Sequence, residues 1–401
     1  MAAIAAAHVA HPNHRAKSLR KNLRRSRIAT HWRFEWCSSG GGTAVLSRFA
    51  LLALTAMLGV LSQNTGSNFP PPDRVIATRV PQNPLITVKS APSLGDNVNG
   101  PSVIRVPPWV KAPLGRYYMY FAHHYGRFVR LAYADSITGP WKIYEPGVLH
   151  IEHTAFNRAQ PDAPTTGASQ RMHVASPDVH IDTEGARILM WVHGWWTNNE
   201  PWPHVDSKSA IGWARERGYE QYTQVATSGD GIHFEGEKPI TRTSYLRVFR
   251  LEDTYYGLAR LGLLARSRQP LGEFELGANP FAETDYRNRV RHVALLRRGT
   301  RLHVFFSAIG DAPERILMST IDLHGSWESW KASMPVEVLH PERDYECVNL
   351  ANEPSRVGEI VGPARQLRDP AILEDNGRVW LFYTVCGEQG IAVAEVKLAA
   401  R

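Results

Sequence analysis

Cysteine is scarce. Three residues in a chain of 401 exclude a disulfide-rich scaffold, and no Cys-pair or His-x-Glu-x-His spacing marks a zinc site. Sustained helical periodicity is also scarce, since few stretches after Gly100 keep apolar residues in register over eleven positions, which excludes a helical bundle. The apolar run Phe49 to Leu61 has thirteen residues, too short for a comfortable membrane span. Acids are rare at the start: residues 1–48 carry nine Lys and Arg against the single acid Glu35, which accounts for the whole net charge of +8. The remainder is charge-balanced, which removes the electrostatic case for a nucleic-acid partner. With 43% apolar and 10% aromatic residues, the chain is neither disordered nor a coiled coil.

What is present divides into three parts. Residues 1–62, a basic leader with a short hydrophobic segment and small residues at Val60 and Ser62, read as a signal peptide or an N-terminal membrane anchor. Membrane contact is expected through this segment only, and the protein is expected to be secreted or periplasmic. Residues 63–94, rich in Pro, Asn and Gly, read as an exposed lead-in, and 95–401 as the folded domain. Cys37 falls in the leader, which leaves Cys347 and Cys386 able to form one disulfide in an oxidising compartment.

The folded part repeats. Five segments show a short strand, a tight turn, and a second strand dense in aromatic and β-branched residues. The second strands begin near Arg116, Arg187, Thr254, Arg301 and Arg378, as in Arg116-Tyr-Tyr-Met-Tyr-Phe-Ala-His-His124 and Arg378-Val-Trp-Leu-Phe-Tyr-Thr-Val385. Each spacing fits a sheet of about four strands, and such sheets bury both faces only by stacking around an axis. The predicted fold is all-β, a five-bladed β-propeller.

The segments Asn99-Gly-Pro-Ser, Ser176-Pro-Asp-Val and Arg368-Asp-Pro-Ala-Ile resemble inner-strand motifs of the five-bladed propeller glycosidases: glycoside hydrolase family 43, with its invertase and levansucrase relatives. The resemblance spans about residues 95–398, through motifs of three or four residues each. It implies a carbohydrate substrate and no required cofactor, and leaves room for a calcium ion on the axis as in some related propellers.

In a propeller, loops entering the first strand and leaving the second open onto one face. That rule gathers Asn99, Asp178, Tyr245 to Arg247, Arg291, His292, Arg368 and Asp369 with His123, His124, His193 to Trp196, Arg260, Asp311 and Glu388. Glycoside hydrolysis needs two carboxyl groups astride the scissile bond, and Asp178 and Asp369 are the acids at inner-strand starts, with loop capping or pairing to Arg as their structural alternative. The chain departs from the family 43 pattern: Asn99-Gly100-Pro101-Ser102 stands where the resemblance places a general base, and Glu252-Asp253 falls in a turn at the far end of blade three. His292 is the expected substitute acid, as in the propeller family that cleaves neoagaro-oligosaccharides. Candidate substrate contacts are Asn99, His123, His124, Trp195, Trp196, Arg247, Arg291, Arg368, Glu388, and Glu346 in the long loop His340 to Gln366. Trp195, Trp196 and Trp202 offer flat faces for sugar rings or for packing between blades. Adjacent histidines on a strand point to opposite sides, so at most one of His123 and His124 faces the site. The expected activity is glycoside hydrolysis by an exported enzyme of polysaccharide degradation, inverting if the carboxyl groups leave room for a water. The alternatives are a non-catalytic carbohydrate-binding propeller, or a polysaccharide lyase using a His or Tyr245 as base.

Overall fold

A computed structural model describes residues 73–156, 173–197 and 219–399. The leader 1–62 and Trp202 lie outside the described residues. In chain order, β1 (Arg74–Arg79) and β2 (Ile86–Thr87) precede five antiparallel sheets. Blade one comprises β3 (Asn99–Arg105), β4 (Tyr117–Ala122), β5 (Arg130–Ala134) and β6 (Lys142–Tyr144). Blade two comprises β7 (Ala175–Asp182), β8 (Arg187–Thr197), β9 (Tyr219–Ser228) and β10 (Glu235–Thr241). Blade three is built from β11 (Arg247–Leu251), β12 (Thr254–Leu258), β13 (Leu264–Ser267) and β14 (Glu275–Leu276), and blade four from β15 (Val290–Arg298), β16 (Arg301–Ala308), β17 (Ile316–Asp322) and β18 (Val336–Leu339). Blade five joins β19 (Arg368–Asp375), β20 (Arg378–Val385) and β21 (Gly390–Ala399) to β1. This is the five-bladed propeller expected from the repeat.

The period of a strand explains the ring. In β4, Tyr118 and Tyr120 face Ile188, Met190 and Val192 of blade two, while Tyr117, Met119 and Phe121 face Trp380, Phe382 and Val393 of blade five. Both faces are covered, so the second strands read as unbroken apolar runs rather than alternating ones. The core accordingly resolves into five clusters, one per interface between neighbouring blades.

The lead-in differs from expectation. Its described part is built into the domain: β1 pairs with β21 from Arg74↔Ala399 to Arg79↔Ala394, β2 pairs with β21 through Ile86↔Ile391, and Ile86 and Leu94 are buried. The segment Arg74-Val-Ile-Ala-Thr-Arg79 alternates in exposure as a sheet edge should. Its six residues are outweighed by the surrounding Pro and Asn when composition alone is read.

The first strands share an irregularity that positions the site. Register slips between Asn99 and Ser102, Ala175 and Asp178, Val290 and Val293, and Arg368 and Ala371. Within three of these bulges, and just ahead of β11, one residue is left-handed: Gly100 (φ 57), Ser176 (φ 50), Asp369 (φ 47) and Tyr245 (φ 57). Bulges re-aim side chains at the rims of β-structures. For non-glycine residues the left-handed conformation costs roughly 1 kcal/mol or more. Gly100 is glycine for a further reason, since a Cβ there would come within 3.0 Å of the Ser176 backbone.

Candidate active site

The bulges of β15 and β19 carry His292 and Asp369, and the left-handed residue ahead of β11 carries Tyr245, into the mouth of the axis. Asp369 is fully buried. One carboxylate oxygen contacts His292 Nδ1, and the other accepts the Thr384 hydroxyl at 3.2 Å. A carboxylate facing Nδ1 favours the tautomer with its proton there, which leaves Nε2 of His292 with a lone pair. Burial, followed by the positive charges of Arg291, Arg247, His124 and Arg368, pushes the His292 pKa well below its ordinary value. The imidazole is therefore neutral near pH 7, whereas the acid role expected for His292 needs the protonated ring. Its ring lies 4.1 Å, centroid to centroid, from Tyr245, which lies 4.2 Å from His193. Nδ1 of His193 accepts the Tyr245 backbone N–H at 3.4 Å. Burial, then the charge of neighbouring His173, His124 and Arg260, holds His193 neutral as well. Burial raises the Tyr245 phenol above its ordinary value, so it keeps its proton.

Behind this group runs a chain of buried ion pairs. Arg291 Nε donates to Glu314 at 2.7 Å, and the other Glu314 oxygen lies 3.1 Å from Arg368. Arg368 reaches Glu388 at 3.1 Å, and Glu388 lies 2.8 Å from His124 Nε2. Asn97 donates to Glu388 at 2.5 Å, and Asn99 at 3.5 Å while also holding Asn97 at 2.8 Å. Burial alone would raise the Glu388 pKa, but the charge and hydrogen bond of His124, with Arg368 and Asn97, outweigh it and lower the value to about 2. Arg291 also donates to the carbonyls of Gly358, at 3.1 Å, and of Arg356, which pins the loop between β18 and β19 over the mouth.

These groups enclose a cavity of about 290 Å³. It is lined by His124, His193, Tyr245, His292 and Arg291 together with Trp195, Glu220, Arg260, Gly358 and Glu359. The expected residues divide accordingly. His292, His124, Arg291 and Trp195 face the cavity, whereas Asp369, Arg368, Glu388 and Asn99 stand behind it as supports. His123 turns the other way, 2.9 Å from Asp96, as strand alternation requires. Trp196 packs on Tyr222 with ring centroids 4.9 Å apart, against the core of blades one and two.

Asp178, Glu346 and Arg247 depart furthest from expectation. Asp178 does not join Asp369. By register, Asp178 corresponds to Ser102 and Ala371, two residues beyond the left-handed position that Asp369 occupies. It opens instead onto a separate cavity of about 340 Å³ with His180, Arg247 and Asp375. There it accepts the Val248 N–H at 2.8 Å and lies 2.9 Å from His180. Glu346 is no substrate contact. It is fully buried, salt-bridged to Arg79 of β1 at 2.7 Å, accepts the Tyr383 hydroxyl at 3.1 Å, and caps its own turn. Arg247 is an axial plug: its guanidinium donates to the carbonyls of Pro177, Val293 (3.2 Å) and Pro101 (3.4 Å) from three blades, and pairs with Asp178 at 3.4 Å. A calcium ion does not fit beside this buried cation, and among the described residues no cluster of three metal-ligating side chains occurs.

Sequence reasoning missed Glu314 and Glu359. Glu314 follows β16 in Asp311-Ala-Pro-Glu314, where Asp311 drew attention and pairs instead with Arg289 at 2.5 Å. Glu359 lies in the long loop expected to be functional, thirteen residues beyond Glu346.

No family model matches the chain. It is 31% identical over 346 residues to "Uncharacterized protein R118" of Acanthamoeba polyphaga mimivirus, spanning 80% of this chain and 90% of that protein. The chain belongs to that protein's family. Among solved structures it is similar to an α-L-arabinofuranosidase from Lactobacillus brevis, at 13% identity and a TM-score of 0.47 over 78% of this chain and 92% of that one. It is also similar to the catalytic domain of a Coprinopsis cinerea GH62 α-L-arabinofuranosidase, at 12% identity and a TM-score of 0.46 over 82% and 98% of the two chains. A GH43 β-xylosidase/α-arabinofuranosidase from a compost microbial metagenome, in complex with xylotriose, gives 14% identity and a TM-score of 0.46 over 80% and 95%. For this chain the five-bladed fold rests on the strands and registers described above.

Proposed function

We propose that the protein is an exported glycosidase in which His292, positioned by Asp369, performs the proton transfer usually assigned to a carboxylate. The observation that carries the reading is the neutral His292, bound through Nδ1 to a buried carboxylate and facing a cavity at the mouth of the axis. Nε2 of His292 takes a proton from water as the water oxygen attacks the anomeric carbon. The glycosidic C–O bond breaks, and its oxygen receives a proton from an acid of the cavity wall, for which Glu359 is the candidate. Direct attack by water inverts the anomeric configuration. Trp195 supplies an aromatic wall for a sugar face. Export is supported by the basic leader with its apolar run and by the Cys347–Cys386 disulfide, which suits an oxidising compartment.

A second reading is favoured by the Tyr245 phenol held protonated against His292. In an eliminative cleavage, His292 removes a proton beside a uronate carboxylate, the bond to the leaving oxygen breaks, and Tyr245 protonates that oxygen. One panel tests both readings: neutral, uronate and sulfated polysaccharides incubated with wild type and His292→Ala. Reducing ends without ultraviolet absorbance identify hydrolysis, and an absorbing unsaturated product identifies elimination. Absence of cleavage by wild type, or full activity in His292→Ala, overturns the assignment.

A further inference from the structure

Among the described residues, Arg247, Arg291 and Arg368 near the axis are neutralised, and Arg260 is not. Arg247 has Asp178, Arg291 has Glu314, and Arg368 has Glu314 and Glu388. Arg260 follows β12 in the turn Arg260–Gly262, where its backbone N–H donates to Ser244 at 3.0 Å and the next residue, Leu261, is left-handed (φ 65). Its side chain is half-buried and lines the cavity beside His193 and Tyr245. Among the described residues its guanidinium has no hydrogen bond or ion pair. Two acids share the cavity, Glu220 and Glu359. Neither is paired with Arg260: Glu220 already has an interaction of its own, and Glu359, on the overlying loop, forms no ion pair among the described residues. The imidazoles of His193 and His292 add no compensating negative charge.

A half-buried guanidinium without a partner has given up part of its hydration and gained nothing in return. Carboxylate and sulfate groups match its fork of donors, often through two parallel bonds, whereas a hydroxyl supplies a neutral acceptor. We propose that Arg260 receives a negatively charged substituent, a carboxylate or a sulfate ester, on the sugar held in this cavity, so that the substrates are acidic glycans. The proposal rests on the glycan reading above and narrows its substrate class. The carboxylates of the buried ion-pair chain, Glu314 and Glu388, are already engaged by Arg291, Arg368 and His124 and do not compensate Arg260.

Binding calorimetry on the full chain tests it with three probes of equal length: an oligogalacturonate, a sulfated galacto-oligosaccharide and an uncharged xylo-oligosaccharide. One acidic probe is expected to bind at least tenfold more tightly than the neutral one, and which of the two does so identifies carboxylate or sulfate. Loss of a charge-assisted hydrogen bond predicts that Arg260→Met weakens that probe by about 10- to 100-fold, leaves the neutral probe unchanged, and is partly rescued by Arg260→Lys. If the neutral probe binds as tightly as both acids and Arg260→Met changes nothing, the anion assignment falls and the glycan reading stands. If no sugar binds, both fall. Should Arg260→Met fail to fold, the wild-type comparison of acidic with neutral probes decides alone.

Discussion

Replacing Asp369 by Asn separates proton chemistry from folding. The residue sits at φ 47, a left-handed conformation that Asn tolerates about as well as Asp, so the exchange adds little backbone strain. The amide can still accept the Thr384 hydroxyl, which lies 3.2 Å from the native carboxylate. What is lost is the negative charge facing His292 Nδ1, and with it the tautomer that leaves Nε2 free to take a proton. Positioned acid–base groups contribute about 10²- to 10⁴-fold, so kcat is expected to fall by that range while KM moves little. The pH profile provides a readout that a structural role would not move. A carboxylate stabilises a protonated imidazole, so its removal lowers the His292 pKa further. The acid limb of the rate profile then shifts to lower pH even as the plateau drops. Stopped assays from acid to neutral pH, with melting temperature measured alongside, check both. Unchanged kcat, or a loss that only tracks the folded fraction, refutes the positioning role.

Two further outcomes concern stability. The Cys347–Cys386 disulfide closes a segment with a sequence separation of 39, for which chain entropy gives about 4 kcal/mol; Cys347→Ser should lower the denaturant midpoint accordingly, and reductant should do the same to wild type alone. Glu388, depressed from 4.5 to about 2, contributes stability that is fully present above its unfolded value and lost as pH falls from about 4.5 towards 2. Denaturation midpoints measured across that window should fall steeply for wild type and less steeply for Glu388→Gln; equal slopes would show that the ion-pair chain does not hold Glu388 ionised.

The five blades were legible because each second strand is buried on both faces and so reads as an apolar, aromatic run at a regular interval. Site residues were legible only as far as the register held. Asp178 and Asp369 look alike as acids near the start of a first strand, yet they sit two register positions apart, so Asp178 opens onto its own cavity while Asp369 is buried behind His292. Glu346 drew attention as an acid in a long loop, but an acid four residues after His340-Pro-Glu342 is as well suited to cap a turn and hold Arg79. Glu314 could not have been found from its own neighbourhood. Its role comes from Arg291 and Arg368, which meet it only once blades four and five are side by side. Arg260 was placed at the correct face by the propeller rule, but its want of a partner is a property of the assembled cavity.

The pairing of β1 with β21 makes the six residues Arg74–Arg79 the latch of the whole ring. Were the chain processed inside this segment rather than ahead of it, β21 would keep a row of open N–H and C=O groups along one edge. An exposed strand edge of that kind is a template for pairing with another chain. A cut that spares Arg74 would leave the blade-five sheet closed, whereas one inside Arg74–Arg79 would leave its edge open to pairing with another chain.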